Sequence, residues 1–198
     1  MENIQRLGHD SFIIKSKDKI IYIDPFKLQD GKQADLILIT HTHYDHYDNA
    51  SISKILKDST TIIGPEDIDY SDAIKMHPGE SKEIQGIKIE AVRAYNIEKK
   101  NHPKEKNWLG YIITINNQRI YHAGDTDLIP EMKRINCNIA LLPVSGGPVM
   151  TAEEAFEAVK ILKPKIAIPM HYGSIIGSDS DAEKFKELCK NITEVKII

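Results

Sequence analysis

Short apolar stretches separated by polar and turn residues through the first forty positions mark extended chain. This predicts strands at 4–7, 11–15 and 19–23, with Lys17-Asp18 as a turn, and then an apolar strand at 35–40. Asp48 or Asn49 caps a helix whose Ile52, Ile55 and Leu56 share one face, and 60–63 reads as a strand closed by Gly64-Pro65. The centre of the chain is β-rich, with 86–95, 108–115, an Asn116-Asn117 turn and 118–123, and a charged loop separates the first two. From Asn138 the period changes to alternation of strand 139–142, helix 152–162, strand 165–168, helix 181–190 and strand 194–198. Thr151 and Glu154 form a capping box for the first of these helices, and Ala155, Phe156, Val159 and Leu162 make its buried stripe.

Each half therefore runs from a β-rich meander into strand and helix alternation. That order predicts an α/β (α+β) fold in which two mixed β-sheets pack face to face with helices on both outer faces, a four-layer αββα sandwich with ligand-bearing loops along one edge. No linker or composition shift divides the chain, so a single domain over 1–198 is expected.

Composition narrows the function classes. Hydrophobic residues make up 41% and charged residues 28%, and no apolar run is long enough to span a bilayer, so no membrane role is expected. The start, MENIQRLGHDSF, lacks a basic segment followed by an apolar core, which predicts a cytoplasmic protein, and Cys137 and Cys189 are expected as buried free thiols. A net charge of −3 supplies no global positive field, which disfavours nucleic acid as a partner.

Chemistry is concentrated in His41-Thr42-His43-Tyr44-Asp45-His46, directly after the apolar run Leu36-Ile37-Leu38-Ile39. Three imidazoles and a carboxylate at the end of a buried strand are donors held on a rigid support, as a metal site requires. Nitrogen and hard oxygen donors without thiolate suit zinc (Zn²⁺) first, with Mn²⁺ or Fe²⁺ as alternatives. Two more groups follow apolar strands at sharp turns: Asp125 in Tyr121-His122-Ala123-Gly124-Asp125-Thr126, and His171 in Ile168-Pro169-Met170-His171-Tyr172-Gly173.

In this order and spacing, HTHYDH, GDT and PMHYG resemble the metallo-β-lactamase-fold hydrolases over nearly the whole chain. The phrases GHDSF, IDPF, YHAGDTD and PVSGGPVMTAEEA are further similar to a small-domain branch that includes ascorbate-phosphate lactonase-like and many uncharacterised metal-dependent hydrolases. The resemblance implies two metals per chain. His41 and His43 would bind the first, Asp45, His46 and His171 the second, and Asp125 would bridge them. The family's further first-metal histidine falls where this chain has Asn96, and His102, in the loop after it, is the candidate replacement. His9 reaches the cleft in this reading to touch substrate or to support a ligand from behind, and is counted with Asp45 as catalytic, with a hydrogen-bonded structural role as the alternative. Asp24 is expected to orient a ligand imidazole, whereas His77 and His122 read as structural. Lys99, Lys100, Lys104 and Lys106 read as a solvated loop, with an anionic substrate as the minority reading.

Two divalent cations would share a water, lower its pKa toward neutrality and present hydroxide to carbon or phosphorus, with Asp45 setting its orientation. The function expected is hydrolysis of a small-molecule ester, lactone, amide or phosphoester. A metal-binding protein without turnover and, less favoured, a nucleic-acid-processing hydrolase are the alternatives. A homo-oligomer is expected by analogy with the family alone.

Overall fold

The computed structural model describes residues 4–16 and 18–198, so Lys17, half of the expected turn, lies outside the described residues. The first sheet contains β1 (Ile4–Gly8), β2 (Ser11–Ser16), β3 (Lys19–Ile23), β4 (Leu36–Leu38), β5 (Thr61–Gly64) and β6 (Ile74–Lys75), neighbours in chain order. Pairing is antiparallel from β1 to β3 and parallel from β3 to β6. Helix α1 (Asn49–Ile55) connects β4 to β5. The second sheet contains β7 (Ser81–Ile84), β8 (Ile87–Arg93), β9 (Leu109–Ile115), β10 (Gln118–His122), β11 (Ile139–Pro143), β12 (Ile166–Met170) and β13 (Glu194–Val195). It is antiparallel up to β10 and parallel beyond. Helices α2 (Ala152–Leu162) and α3 (Asp179–Cys189) form its connections.

The alternation of β2 sorts its side chains between two cores. Phe12 and Ile14 join Ile21, Ile23, Leu36 and Leu38 against Leu109, Tyr111 and Ile113 of the second sheet, whereas Ile13 turns outward with Tyr22, Ile37 and Ile39 to meet Ile52 and Ile55 of α1. Asp48 caps α1 by accepting from Ala50 N at 3.0 Å, and the Thr151–Glu154 box forms on α2. The result is the expected αββα sandwich. Cys137 and Cys189 are buried and free.

The differences from the expected elements have local causes. Phe156 and Leu56 are only partly buried against their clusters, at the margins of the helical faces. Helix α3 begins at Asp179 because Ser178 is its cap, with Asp181 as the box partner inside it. Strand β6 has two residues, too few to show a period, and β7 is a mostly exposed edge strand of polar residues that joins β8 through Gln85-Gly86, both at positive φ (53° and 78°). The strands expected at 35–40, 86–95 and 194–198 pair regularly only over Leu36–Leu38, Ile87–Arg93 and Glu194–Val195.

One buried acid ties the first sheet to α1's connection. Asp35 accepts from Ile20 N (2.8 Å) and Lys57 Nζ (2.7 Å). Burial alone would raise its carboxyl, but Lys57, the Ile20 N–H and Lys19 outweigh burial and hold it below the ordinary value. A depressed folded pKa stabilises above the unfolded value of about 3.9, and that contribution is lost as pH falls through the folded value. Chemical denaturation is therefore expected to find Asp35→Ala less stable than the parent at pH 7, with the gap narrowing below about pH 4. A gap that widens on acidification would contradict this account.

Candidate metal centre

The strand ends converge on one edge of the sandwich. After β4 the chain turns tightly, with His46 N and Tyr47 N both donating to His43 O (3.0 and 2.9 Å), which brings the His41 and His46 rings to 4.0 Å and those of His41 and His43 to 4.6 Å. Asp125 arrives after β10 through Gly124 at φ +64°, where an added Cβ would lie 2.7 Å from Leu109 O, so only glycine permits the turn. His171 follows β12 at φ +59°, Asp24 follows β3 at φ +44°, and His9 sits between β1 and β2 at φ +46°. Three non-glycine residues in the left-handed region around one centre mark backbone strain, which a surrounding framework must hold.

The loop after β8 carries His102 inward. Asn96 N donates to His102 O (2.7 Å), and Asn96 Oδ1 accepts from His102 N (3.0 Å). Asn96 Nδ2 is committed to Asp127 Oδ1 (3.0 Å) and Pro148 O (2.8 Å), which orients the amide. His102 Nδ1 then faces two acceptors, Asn96 Oδ1 (3.1 Å) and Pro148 O (3.2 Å), so it carries the proton and Nε2 is the lone pair.

The same logic fixes three more imidazoles. Thr40 Oγ1 donates to Asp24 Oδ2 (2.6 Å), so it accepts from His41 Nδ1 (3.0 Å). Asp24 Oδ2 also accepts from His46 Nδ1 (2.8 Å), and Thr40 N donates to Asp24 Oδ1 (2.8 Å). Ser145 Oγ, which donates to Gly146 O (3.3 Å), receives His171 Nδ1 (2.9 Å). Four Nε2 atoms therefore point inward at one carboxylate. They lie from Asp125 at 4.0 Å (His41), 3.4 Å (His46), 3.1 Å (His102) and 3.2 Å (His171). His43 Nδ1 approaches His41 Nε2 at 3.0 Å. The indole of Trp108 packs on His41, His43 and His102 at centroid distances of 4.9, 4.8 and 5.7 Å, with Nε1 donating to Asp67 (3.1 Å).

Burial pushes His41 well below the ordinary imidazole range, with the neighbouring His46 charge adding to it, and burial also depresses His43, so both are neutral donors. Burial would depress His46 and His171 as well, but Asp125 with Asp24 raises His46 to about 10, and Asp125 with Asp10 raises His171 to about 9. Asp125, for which burial alone would act upward, is held well below the carboxylate range by His46, His171 and His102. The carboxylates thus demand positive charge, which protons or a cation can supply.

The donors fall into three groups, each with its donor atoms within 4.8 Å of one another: His41, His43 and His102; His9, His46 and His171; and Asp10, His46, Asp125 and His171. His46 Nε2, His102 Nε2 and Asp125 Oδ1 are buried without hydrogen-bond partners. A buried nitrogen and oxygen donor set with unpartnered inward atoms fits a divalent metal, whose charge would replace the protons on His46 and His171 Nε2.

Among the residues singled out from sequence, His41, His43, His46, His102, Asp125 and His171 come together, and Asp24 and Asn96 each hold imidazoles from behind. Asp45 does not enter these groups; its Oδ2 lies 3.2 Å from His9 Nε2, and its side chain is 15% exposed. His77 pairs with exposed Glu66 (3.6 Å), and His122 donates from Nε2 to Asp10 O (3.0 Å), both outside the donor groups. Three of the four loop lysines have acidic partners: Lys99 with Asp127 (2.6 Å), Lys104 with Glu131 (3.2 Å) and Lys106 with Asp67 (3.5 Å). Asp10 and Trp108 were not anticipated. Asp10 had a readable signal, since it too follows a strand at a glycine turn.

Residues 3–171 match the family described as the beta-lactamase superfamily domain, and the chain belongs to that superfamily. More narrowly, it is 36% identical to a UPF0173 metal-dependent hydrolase of Thermoplasma acidophilum, over 100% of this chain and 96% of the relative. A second such protein, from Pyrococcus abyssi, is 33% identical over 100% of this chain and 96% of its own. Among solved structures, a protein from Parabacteroides distasonis described as a metal-dependent hydrolase superposes with a TM-score of 0.91 at 35% identity, covering 98% of this chain and 91% of that one. A protein from Thermotoga maritima described as a zinc-dependent hydrolase of the metallo-beta-lactamase superfamily shares the fold, with a TM-score of 0.72 at 21% identity, covering 98% and 96%.

Proposed function

We propose that this centre holds two divalent metal ions, zinc first with Mn²⁺ or Fe²⁺ as alternatives, and that the chain hydrolyses a small ester, lactone, amide or phosphoester. The observation that carries the reading is the convergence of four imidazole Nε2 atoms on the buried Asp125 carboxylate. His41, His43 and His102 would hold one ion, His46 and His171 the other, and Asp125 would face both. Bound there, such ions supply water activation and polarisation of the scissile carbonyl or phosphoryl oxygen.

The remaining roles belong to the chain itself. Asp24 keeps the Nδ1 protons of His41, through Thr40, and of His46 on the outside, so that both present Nε2 to the centre. Asn96 and Pro148 do the same for His102, which would fill the gap that Asn96 leaves in the family pattern. Asp45, partly exposed and paired with His9, would take a proton from attacking water and return it to the leaving oxygen or nitrogen.

Hydrolysis of generic ester, lactone and phosphodiester substrates, with and without chelator, tests the reading. Turnover that chelation abolishes and added Zn²⁺ or Mn²⁺ restores is the expected result. Turnover indifferent to metal removal would sink it. Tight metal binding without turnover on any of these substrates would favour a binding protein instead.

A further inference from the structure

The resemblance assigns no role to Asp10 of the GHDSF phrase, yet Asp10 is the least accommodated carboxylate of the centre. It is fully buried, and neither side-chain oxygen has a hydrogen-bond partner. A carboxylate removed from water without donors is strongly disfavoured unless a cation meets it. Its donor atoms lie within 4.8 Å of those of His46, Asp125 and His171.

The backbone leaves the side chain little choice of direction. Gly8 (φ +121°) and His9 (φ +46°) turn the chain sharply between β1 and β2. His9 O accepts from Arg6 Nε (3.0 Å) and His171 N (3.3 Å), and Asp10 O accepts from His122 Nε2 (3.0 Å). His122 Nδ1 in turn accepts from Gly124 N (3.2 Å), so Nε2 carries the proton. The turn that bears Asp10 is thus pinned to the second sheet on both sides, beside the turns that deliver Asp125 and His171. Asp45 lies 3.2 Å from His9 Nε2 on the partly exposed side of this cluster.

We infer that Asp10 is a ligand of the second metal position, completing a set of two carboxylates and two imidazoles with Asp125, His46 and His171. This rests on the metal-centre reading above. The first position, with His41, His43 and His102 around the shared Asp125, is richer in nitrogen. Carboxylates suit Mn²⁺ and similar hard ions, and imidazoles suit zinc. The two positions therefore differ in preference: Mn²⁺ competes with Zn²⁺ better at the second than at the first.

The test uses the full chain, stripped by chelator, loaded with one equivalent of Zn²⁺ and then titrated with Mn²⁺. Metal content, the Mn²⁺ electron paramagnetic resonance signal and the fluorescence of Trp108 against the first position are followed. The parent is expected to hold one zinc and one manganese. Asp10→Asn and Asp10→Ser are each expected to keep the zinc and the Trp108 response while Mn²⁺ affinity falls by at least about tenfold, as for lost ligand support in general. Parent-like Mn²⁺ affinity in both variants overturns the ligand role, as does loss of both metals together, which marks Asp10 as structural. A parent chain that binds neither metal fails at the earlier step and sinks the metal-centre reading itself.

Discussion

Asp125→Ala is expected to lose metal from both positions. Its carboxylate is the one group that faces His41, His46, His102 and His171 at once, at 3.1 to 4.0 Å. Removing it leaves imidazoles without the anion that balances a dication in a buried site, where charge is weakly screened. Loss of a supporting partner alone typically costs 10–100-fold in metal affinity, so deletion of the shared carboxylate should cost more than about 100-fold at each position. Metal analysis after dialysis against a competing chelator measures this. Trp108 provides a second readout, because it is the chain's only tryptophan and packs on three of the imidazoles. Its fluorescence should respond to Zn²⁺ in the parent and not in the variant. Retention of two ions at parent affinity would remove the basis for a shared carboxylate.

Asp24→Asn carries the second-largest expected effect, although Asp24 sits behind the donors. Its oxygens accept from Thr40 N, Thr40 Oγ1 and His46 Nδ1, and Thr40 passes the constraint to His41. An amide can accept on one side only, so its NH₂ must oppose either the Thr40 amide or the Thr40 and His46 donors. One imidazole of each proposed metal position would lose its fixed tautomer. Zinc affinity should fall about 10–100-fold at both positions together, and the fold should lose roughly 1.5–3 kcal/mol from buried bonds to a charged acceptor. A chelator-competition titration distinguishes this from a purely structural role, in which stability falls and the affinities of the folded protein do not. Equal affinities in parent and variant would reject the positioning role.

The sandwich was legible because its main strands are short apolar runs bounded by turn residues and its helices carry caps. Phe12, Ile13 and Ile14 show the rule, since adjacent residues must enter opposite cores. Strand β7 was not legible, because a polar edge strand has one covered side at most and no apolar period to display. The two-residue β6 is held by pairing with β5 rather than by its own pattern.

For the site, the hexad at 41–46 announced itself because its donors are packed within one tight turn, where local geometry suffices to bring rings within 4 to 5 Å. Asp125 and His171 were readable as polar groups set directly after buried strands. The placement of His102 was not, because it depends on contacts far apart along the chain: its Nδ1 proton is held by Asn96 and by Pro148 O, 46 residues away. Asp45 and Asp10 make the same point in opposite directions. Residue type and spacing favoured Asp45 as a donor, but the fold sets it on His9 and brings Asp10 among the imidazoles. By itself, the amino-acid sequence determined the layers, the edge that bears the chemistry and the kind of donor gathered there, since these follow from periodicity and residue type. Only the tertiary structure decided which nitrogen of each imidazole faces inward and which carboxylates stand within reach, because those depend on partners that other strand-end loops bring in: Asp24 for His41 and His46, Pro148 for His102 and Ser145 for His171.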